Sequence, residues 1–233
     1  ESIGEYENTI FIFTSDNGAE GSPLINPTAN SVLDPWIEGV GYETGIENLG
    51  EKGSWVGIGP SNATVAASPL AYYKFHANEG GLRVPLVMSG PGISQRGELS
   101  DDFVFVTDLA PTILSLVEVN DHGGSWHTRE VEPIVGKDFS AYLEGQLGPI
   151  HPASEPVGYE MGGSGALFKG DYKIVINKFE QSESEWHLFN IKTDPGEAND
   201  LARGEPELLA EMLDDYEEWA SINNVLPMPE GYN

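Results

Sequence analysis

Asp16 and Asn17 set a carboxylate and a carboxamide side by side, oxygen donors of the hard kind that calcium and magnesium take. A calcium site needs about six to eight ligands, so this pair would supply only part of one. The remainder would come from elsewhere in the fold and from a bound substrate. With Gly18 behind them the same residues are also ordinary turn chemistry, because short Asp and Asn side chains bond their own backbone. Lys74 is the second residue that asks for a reason, since it and Lys52 are the sole basic residues among the first 82. Close to a metal, its ammonium would hold the oxyanion of a sulfate or phosphate ester and offset charge as the leaving-group bond breaks. Left in water, it would be a solvated helix lysine. The histidines His76, His122, His127, His151 and His187 show no His-x-x-x-His spacing. Only His76, two positions from Lys74, joins the candidates.

These residues need elements to carry them. Thr9–Thr14 is a β-branched and aromatic run that reads as a strand buried on both faces, and it stops at Ser15-Asp16-Asn17-Gly18. Ligand sites in open α/β sheets gather at the carboxyl ends of strands, which makes that position informative. From Ala19 to Ser68 the chain is rich in Gly, Pro, Asn and Ser, and reads as a long ordered loop lining a cleft, with Trp36, Tyr42 and Trp55 to bury. Asn62-Ala63-Thr64 fits a glycosylation sequon, a match frequent by chance. A helix over Pro69–Phe75 would carry Lys74; Gly80-Gly81 and a second buried strand over Leu82–Met88 follow, with Arg83 facing a buried carboxylate. After Phe103–Val106, Asp108 is placed to cap a helix reaching Val117, with Pro111 in its first turn. Alternating strands and helices indicate an α/β layer.

Beyond a connection over residues 120–155 the pattern becomes hairpin-like. Strands are predicted over Val157–Met161, over Ala166–Asn177 with a turn at Gly170-Asp171, and over Trp186–Ile191. A last helix over Pro206–Ala220 puts Leu209, Met212, Leu213, Tyr216 and Trp219 on one apolar stripe. The expected division is therefore residues 1–150 in an α/β domain and 151–233 in a small antiparallel sheet covered by a helix.

A net charge of -27 disfavours nucleic acid and anionic membrane, and neither is expected as a partner, since both rely on clustered Lys and Arg. The same acidity suits a saline medium, where charges are screened. No apolar stretch approaches the ~18 residues of a membrane span. With no cysteine, disulfides, thiolate metal sites and a cysteine nucleophile are all excluded within these residues. Glu1-Ser2-Ile3-Gly4 shows no signal peptide; with upstream sequence expected, this leaves export, periplasmic or secreted, unread.

Five ordered segments together resemble the arylsulfatase family of the alkaline phosphatase superfamily, in its bacterial type I form. They are Thr9 to Gly21, Gly45-Ile46-Glu47-Asn48-Leu49-Gly50, Tyr73-Lys74 with Glu79 to Leu86, Thr107 to Leu114, and Trp186 to Asn190 with Asp194 to Leu201. The resemblance implies the C-terminal portion of a mixed-sheet α/β/α sulfatase domain followed by its small antiparallel subdomain. It implies Asp16 and Asn17 as ligands of one calcium ion, one of them near the catalytic hydroxyl, and Lys74 as the sulfate contact. The family's nucleophile is a formylglycine made from Cys or Ser in a Cys/Ser-x-Pro-x-Arg motif, and no such motif occurs here. The Asp pair completing the calcium site and the Lys and His residues assisting catalysis also lie upstream in the family. The expectation is thus a fragment that lacks the N-terminal part of its catalytic domain, acts on a small sulfate ester only with that part, and has no turnover alone. Two rival readings are a phosphonate or phosphate monoester hydrolase of the same superfamily and a catalytically inactive acidic binding module.

Overall fold

A computed structural model describes residues 3–21, 34–94, 97–121, 123–146, 148–178 and 185–227, so His122 lies outside the described residues. In chain order the elements are β1 (Phe11–Thr14), α1 (Asp34–Val40), α2 (Gly59–Ala67), α3 (Glu79–Leu82), β2 (Leu86–Ser89), α4 (Leu109–Leu116), β3 (Ser125–Trp126), β4 (Arg129–Glu130), α5 (Ser140–Leu143), β5 (Val157–Met161), β6 (Ser164–Lys169), β7 (Tyr172–Ile176), β8 (His187–Asn190) and α6 (Pro206–Ile222). This is the mixed α/β architecture expected, ending in a small antiparallel sheet and a helix. Two compact units share the elements: Glu1–Ser15 with Pro85–Glu155, and Asp16–Val84 with Pro156–Asn233.

In the first unit β1 and β2 pair antiparallel, from Phe11 opposite Ser89 to Thr14 opposite Leu86. Neither strand is buried on both faces as the sequence suggested: Phe11, Phe13 and Val87 are 50%, 67% and 56% exposed. Among the described residues the pair is a two-stranded ribbon, and a ribbon without a covering layer leaves its side chains in water. The second strand begins at Leu86 rather than Leu82, since Pro85 cannot donate to a ladder. Phe103 to Phe105 form no strand and lead into a 3₁₀ turn at Val106–Asp108.

α4 follows Asp108, as expected, but the Asp108 side chain does not cap it. Its buried carboxylate accepts from the backbone N–H of Phe105 (2.7 Å) and Lys137 (2.8 Å) and from Nε2 of His151 (2.7 Å). Burial alone would raise this carboxyl; the His151 and backbone hydrogen bonds outweigh it and hold the group below its ordinary value. Thr112 continues the tie, with its hydroxyl donating to the Asp108 carbonyl and accepting from Phe139 N–H.

In the second unit β5 to β8 form an antiparallel sheet in sequence order. Met161 pairs with Ser164 across Gly162-Gly163, both at positive φ, which only glycine adopts without strain. Lys169 pairs with Tyr172 across Gly170-Asp171, the turn the sequence marked. Leu167, Ile174, Leu188 and Met212 make the fully buried core, with Leu209, Leu213, Tyr216 and Trp219 of α6 packed against it. Gly158 and Gly165 lie under Trp219 and Tyr216, where a Cβ would enter the rings.

Two helices replace part of the loop expected over 19–68. α2 covers Gly59–Ala67, and Trp36, Tyr42 and Trp55 form a trio with ring centroids 5.5 to 5.9 Å apart. The helix expected over Pro69–Phe75 is absent. α2 stops before Pro69, and Tyr72 and Phe75 adopt left-handed φ of 60° and 78°, which no α-helix accommodates.

Candidate functional site

Asp16 to Gly21 and the chain around Lys74 are joined backbone to backbone within one unit. Gly18 N–H donates to the Gly81 carbonyl and Lys74 N–H to the Ala19 carbonyl, each at 2.9 Å. A Cβ at Gly18 would run into the Gly80 carbonyl, and one at Gly21 into the Tyr73 ring. The two segments therefore meet at a separation only glycine permits. Asp16 is exposed and Asn17 half-buried, the Asn17 Nδ2 donating to the Gly18 carbonyl at 2.8 Å.

Lys74 sits on a turn, flanked by the left-handed residues Tyr72 and Phe75. Such conformations cost about 1–3 kcal/mol each and persist only where the surroundings enforce them. The surroundings here are dense. Gly80 N–H donates to the Ala71 carbonyl, and His76 donates to the Tyr73 carbonyl through both its backbone N–H (3.1 Å) and its Nδ1 (3.0 Å). The His76 ring stacks on Tyr72 with centroids 4.6 Å apart. His76 is thus a buried brace for the turn. The Lys74 ammonium lies 2.8 Å from Glu20 Oε2, both side chains roughly a third exposed.

Behind the turn is an ionic cluster that the sequence did not reveal. Lys173, fully buried on β7, donates from Nζ to Glu79 Oε1 and Glu197 Oε1, each at 3.0 Å. Glu197 Oε2 accepts the Glu79 backbone N–H at 2.8 Å, and Arg83 Nη1 stands 3.5 Å from Glu79 Oε2. Arg83 meets a buried carboxylate, as expected, while staying half exposed itself. Burial pushes the Glu197 carboxyl up against the opposing pull of Lys173. Beside the cluster, Asn177 Oδ1 accepts Ala77 N–H at 2.8 Å and its Nδ2 donates to Asn78 Oδ1.

Asp16 and Asn17 fit calcium in kind, as adjacent hard oxygen donors on a held turn, but not in number. Among the described residues no group of three His, Cys, Asp or Glu could hold a metal. A cavity of about 400 Å³ lies against α2, lined by Pro60, Ser61, Thr64, Ala71, Tyr72 and Tyr73. It flanks the Lys74 turn, but neither Asp16 nor Lys74 lines it.

Among the residues not singled out from the sequence, Glu20 had a visible signal: an acid four positions after Asp16, in a segment with only two cations. Lys173 had one too, a lone charge inside the apolar strand Tyr172-Lys173-Ile174-Val175-Ile176. Their partners are separated by up to 118 residues along the chain, as between Glu79 and Glu197.

The Sulfatase family model matches residues 1–119. An uncharacterized sulfatase of Schizosaccharomyces pombe is 34% identical over all 233 residues, which cover 41% of that protein. An arylsulfatase of Klebsiella aerogenes is 32% identical over 142 residues, 60% of this chain and 29% of its own. Two solved structures share the fold: the PsFucS1 sulfatase from Pseudoalteromonas sp. (TM-score 0.59, 20% identity, 98% of this chain and 40% of that one), and BT4656 in complex with its substrate D-glucosamine-2-N,6-O-disulfate (TM-score 0.56, 20% identity, 98% and 37%). The chain spans well under half the length of each.

Proposed function

This chain belongs to the sulfatase family, and from that premise we propose that it is part of a calcium-dependent sulfatase hydrolysing sulfate esters, aryl sulfates among them. Asp16 and Asn17 are two of the calcium ligands, and Lys74 contacts the sulfate. The nucleophile is a formylglycine outside these residues. Residues 1–150 contribute to the α/β catalytic domain, and 151–233 form its small C-terminal subdomain. The observation that carries the reading is the pair of 2.9 Å backbone hydrogen bonds tying the Asp16–Gly21 turn to Gly81 and Lys74, because they hold an oxygen-donor turn and the Lys74 turn together in one compact unit.

Held by Asp16 and Asn17 together with ligands from outside these residues, calcium would supply Lewis-acid polarisation of the sulfate oxygens. The chain's own residues do the rest of what is assigned here. The Asp16 carboxylate and Asn17 carboxamide hold their donors on a turn that cannot shift without breaking the Gly18–Gly81 contact. The Lys74 ammonium exchanges the Glu20 carboxylate for the substrate's sulfate, then offsets the charge growing on the bridging oxygen as the leaving alcohol departs.

The test uses the intact protein with 4-nitrophenyl sulfate and 4-nitrophenyl phosphate. Hydrolysis of the sulfate ester, preferred over the phosphate and abolished by a calcium chelator, is the expected result. Preference for the phosphate or a phosphonate ester would transfer the site to the related hydrolases of the superfamily. Turnover of neither would leave a binding module.

A further inference from the structure

We propose that the buried Lys173–Glu79–Glu197 cluster is a positioning clamp for Lys74, by which the C-terminal sheet sets the geometry of sulfate binding. The inference rests on the sulfatase reading and goes past it, since it gives the C-terminal subdomain a part in the chemistry.

Three observations converge on it. First, Lys74 stands between two left-handed residues, Tyr72 and Phe75, so its turn has no conformation of its own to fall back on. Secondly, that turn rests on α3. The carbonyls of Ala71 and Tyr72 crowd Gly80, those of Tyr73 and His76 crowd Gly81, and Gly80 N–H donates to Ala71. Thirdly, α3 has only four residues and is too short to be rigid alone. Besides the backbone bonds of Gly80 and Gly81, a buried ionic cluster holds it. Glu197 takes the Glu79 backbone N–H, while Lys173 grips the Glu79 and Glu197 carboxylates together.

Each partner of Glu79 is itself held. Along β7 alternation sends Ile174 into the core under α6 and Lys173 to the opposite face. Glu197 is on the turn Asp194-Pro195-Gly196-Glu197, where Glu197 N–H donates to the Asp194 carbonyl and Asp194 Oδ2 accepts from Asn199 N–H at 2.8 Å. Asn177, just past the end of β7, adds a neutral tie to Ala77 and Asn78. The chain from 77 to 79 is thus fastened at consecutive residues by side chains a hundred positions away. A lysine placed in the middle of an apolar strand is a poor choice for stability alone, because hydrophobic replacements of buried ion pairs are often as stable. An exacting requirement on the position of α3 accounts for it.

The experiment compares, in the intact protein, wild type, the paired variant Lys173→Met with Glu197→Gln, and Met212→Ala as a core variant of lowered stability on the opposite face of the sheet from Lys173, each with and without Lys74→Ala. The measurements are kcat and KM for 4-nitrophenyl sulfate, the inhibition constant of inorganic sulfate, thermal midpoint, and amide hydrogen exchange over residues 72–83. The paired variant should raise KM and the sulfate inhibition constant about ten-fold or more and speed exchange over 72–83, with no further weakening of sulfate once Lys74 is alanine. Met212→Ala should lower the midpoint without these effects. Unchanged exchange over 72–83, an equal KM change in Met212→Ala, or an undiminished effect in the Lys74→Ala background would each overturn the clamp. If the paired variant does not fold, the isosteric Glu197→Gln alone is read the same way. Wild type that neither turns over nor binds sulfate sinks the sulfatase reading and with it the link to chemistry, whereas the exchange result still judges the hold on α3 by itself.

Discussion

Lys74 and Glu20 form the closest charged contact of the site, at 2.8 Å, and its partial exposure sets its worth. Solvent screening limits such a pair to about 0–1 kcal/mol of stability, and under the proposed function Glu20 competes with substrate for the ammonium. On the proposed role, replacing Lys74 by alanine removes the sulfate contact, and kcat/KM for a sulfate ester should fall by about 10²–10³-fold in a steady-state assay with the thermal midpoint almost unmoved. Glu20→Gln should act in the opposite direction on binding. With the carboxylate no longer holding the ammonium, inorganic sulfate should inhibit a few-fold more tightly, on the order of the pair's own energy. Inhibition titrations at low ionic strength would show it, and weaker inhibition would mean that Glu20 instead orients Lys74 for the substrate. Gly18 marks the limit of tolerance. A methyl group there meets the Gly80 carbonyl, and Gly18→Ala should cost about 1–3 kcal/mol in denaturant unfolding because backbone cannot rotate away.

At the scale of elements, α6 and α4 are secured by different physics. α6 presents Met212 to Leu167, Ile174 and Leu188 with no access to water. Met212→Ala should therefore cost about 2–5 kcal/mol, read as a lowered urea midpoint at constant slope. The start of α4 depends on charge. Asp108 is held below its ordinary value in the folded state, so its contribution is fully present above the unfolded carboxyl's range and is lost as the pH falls through the depressed folded value. Asp108→Asn should lower stability at neutral pH and flatten the acid limb of the stability profile. Urea midpoints taken from neutral pH down past the carboxylate range would check both, and an unchanged acid limb would show that other carboxylates govern acid unfolding. Elements were legible in proportion to how local their causes are. α6 matches its apolar stripe and the β6–β7 turn its Gly-Asp pair, since side-chain period and turn chemistry act within a few residues. The Lys74 turn read as a helix because its composition permits one, and what denies it is the left-handed backbone at Tyr72 and Phe75.

For the whole molecule, the proposal of an outside nucleophile has a direct consequence: residues 1–233 alone should release no 4-nitrophenol from 4-nitrophenyl sulfate above a heat-killed control. Calcium should raise the thermal midpoint of the intact protein and scarcely move that of this chain, because two oxygen donors form an incomplete site and only a ligand bound by the folded state stabilises it. A strong calcium shift in the isolated chain would place the missing donors within these residues. What the sequence determined by itself was the family and the alternation of elements. The Gly170-Asp171 turn between β6 and β7 and the apolar stripe of α6 are stated by residue type and period alone, whereas the roles expected of Asp16-Asn17 and Lys74 came through the resemblance of ordered segments. Only the tertiary structure decided that Gly18 presses on Gly80, that Glu20 faces Lys74, and that Lys173 reaches Glu79 and Glu197 in the interior. Those contacts join positions up to 94 residues apart, and no local preference encodes which buried charge will find which partner: that follows from how the sheet and the short helix close over them.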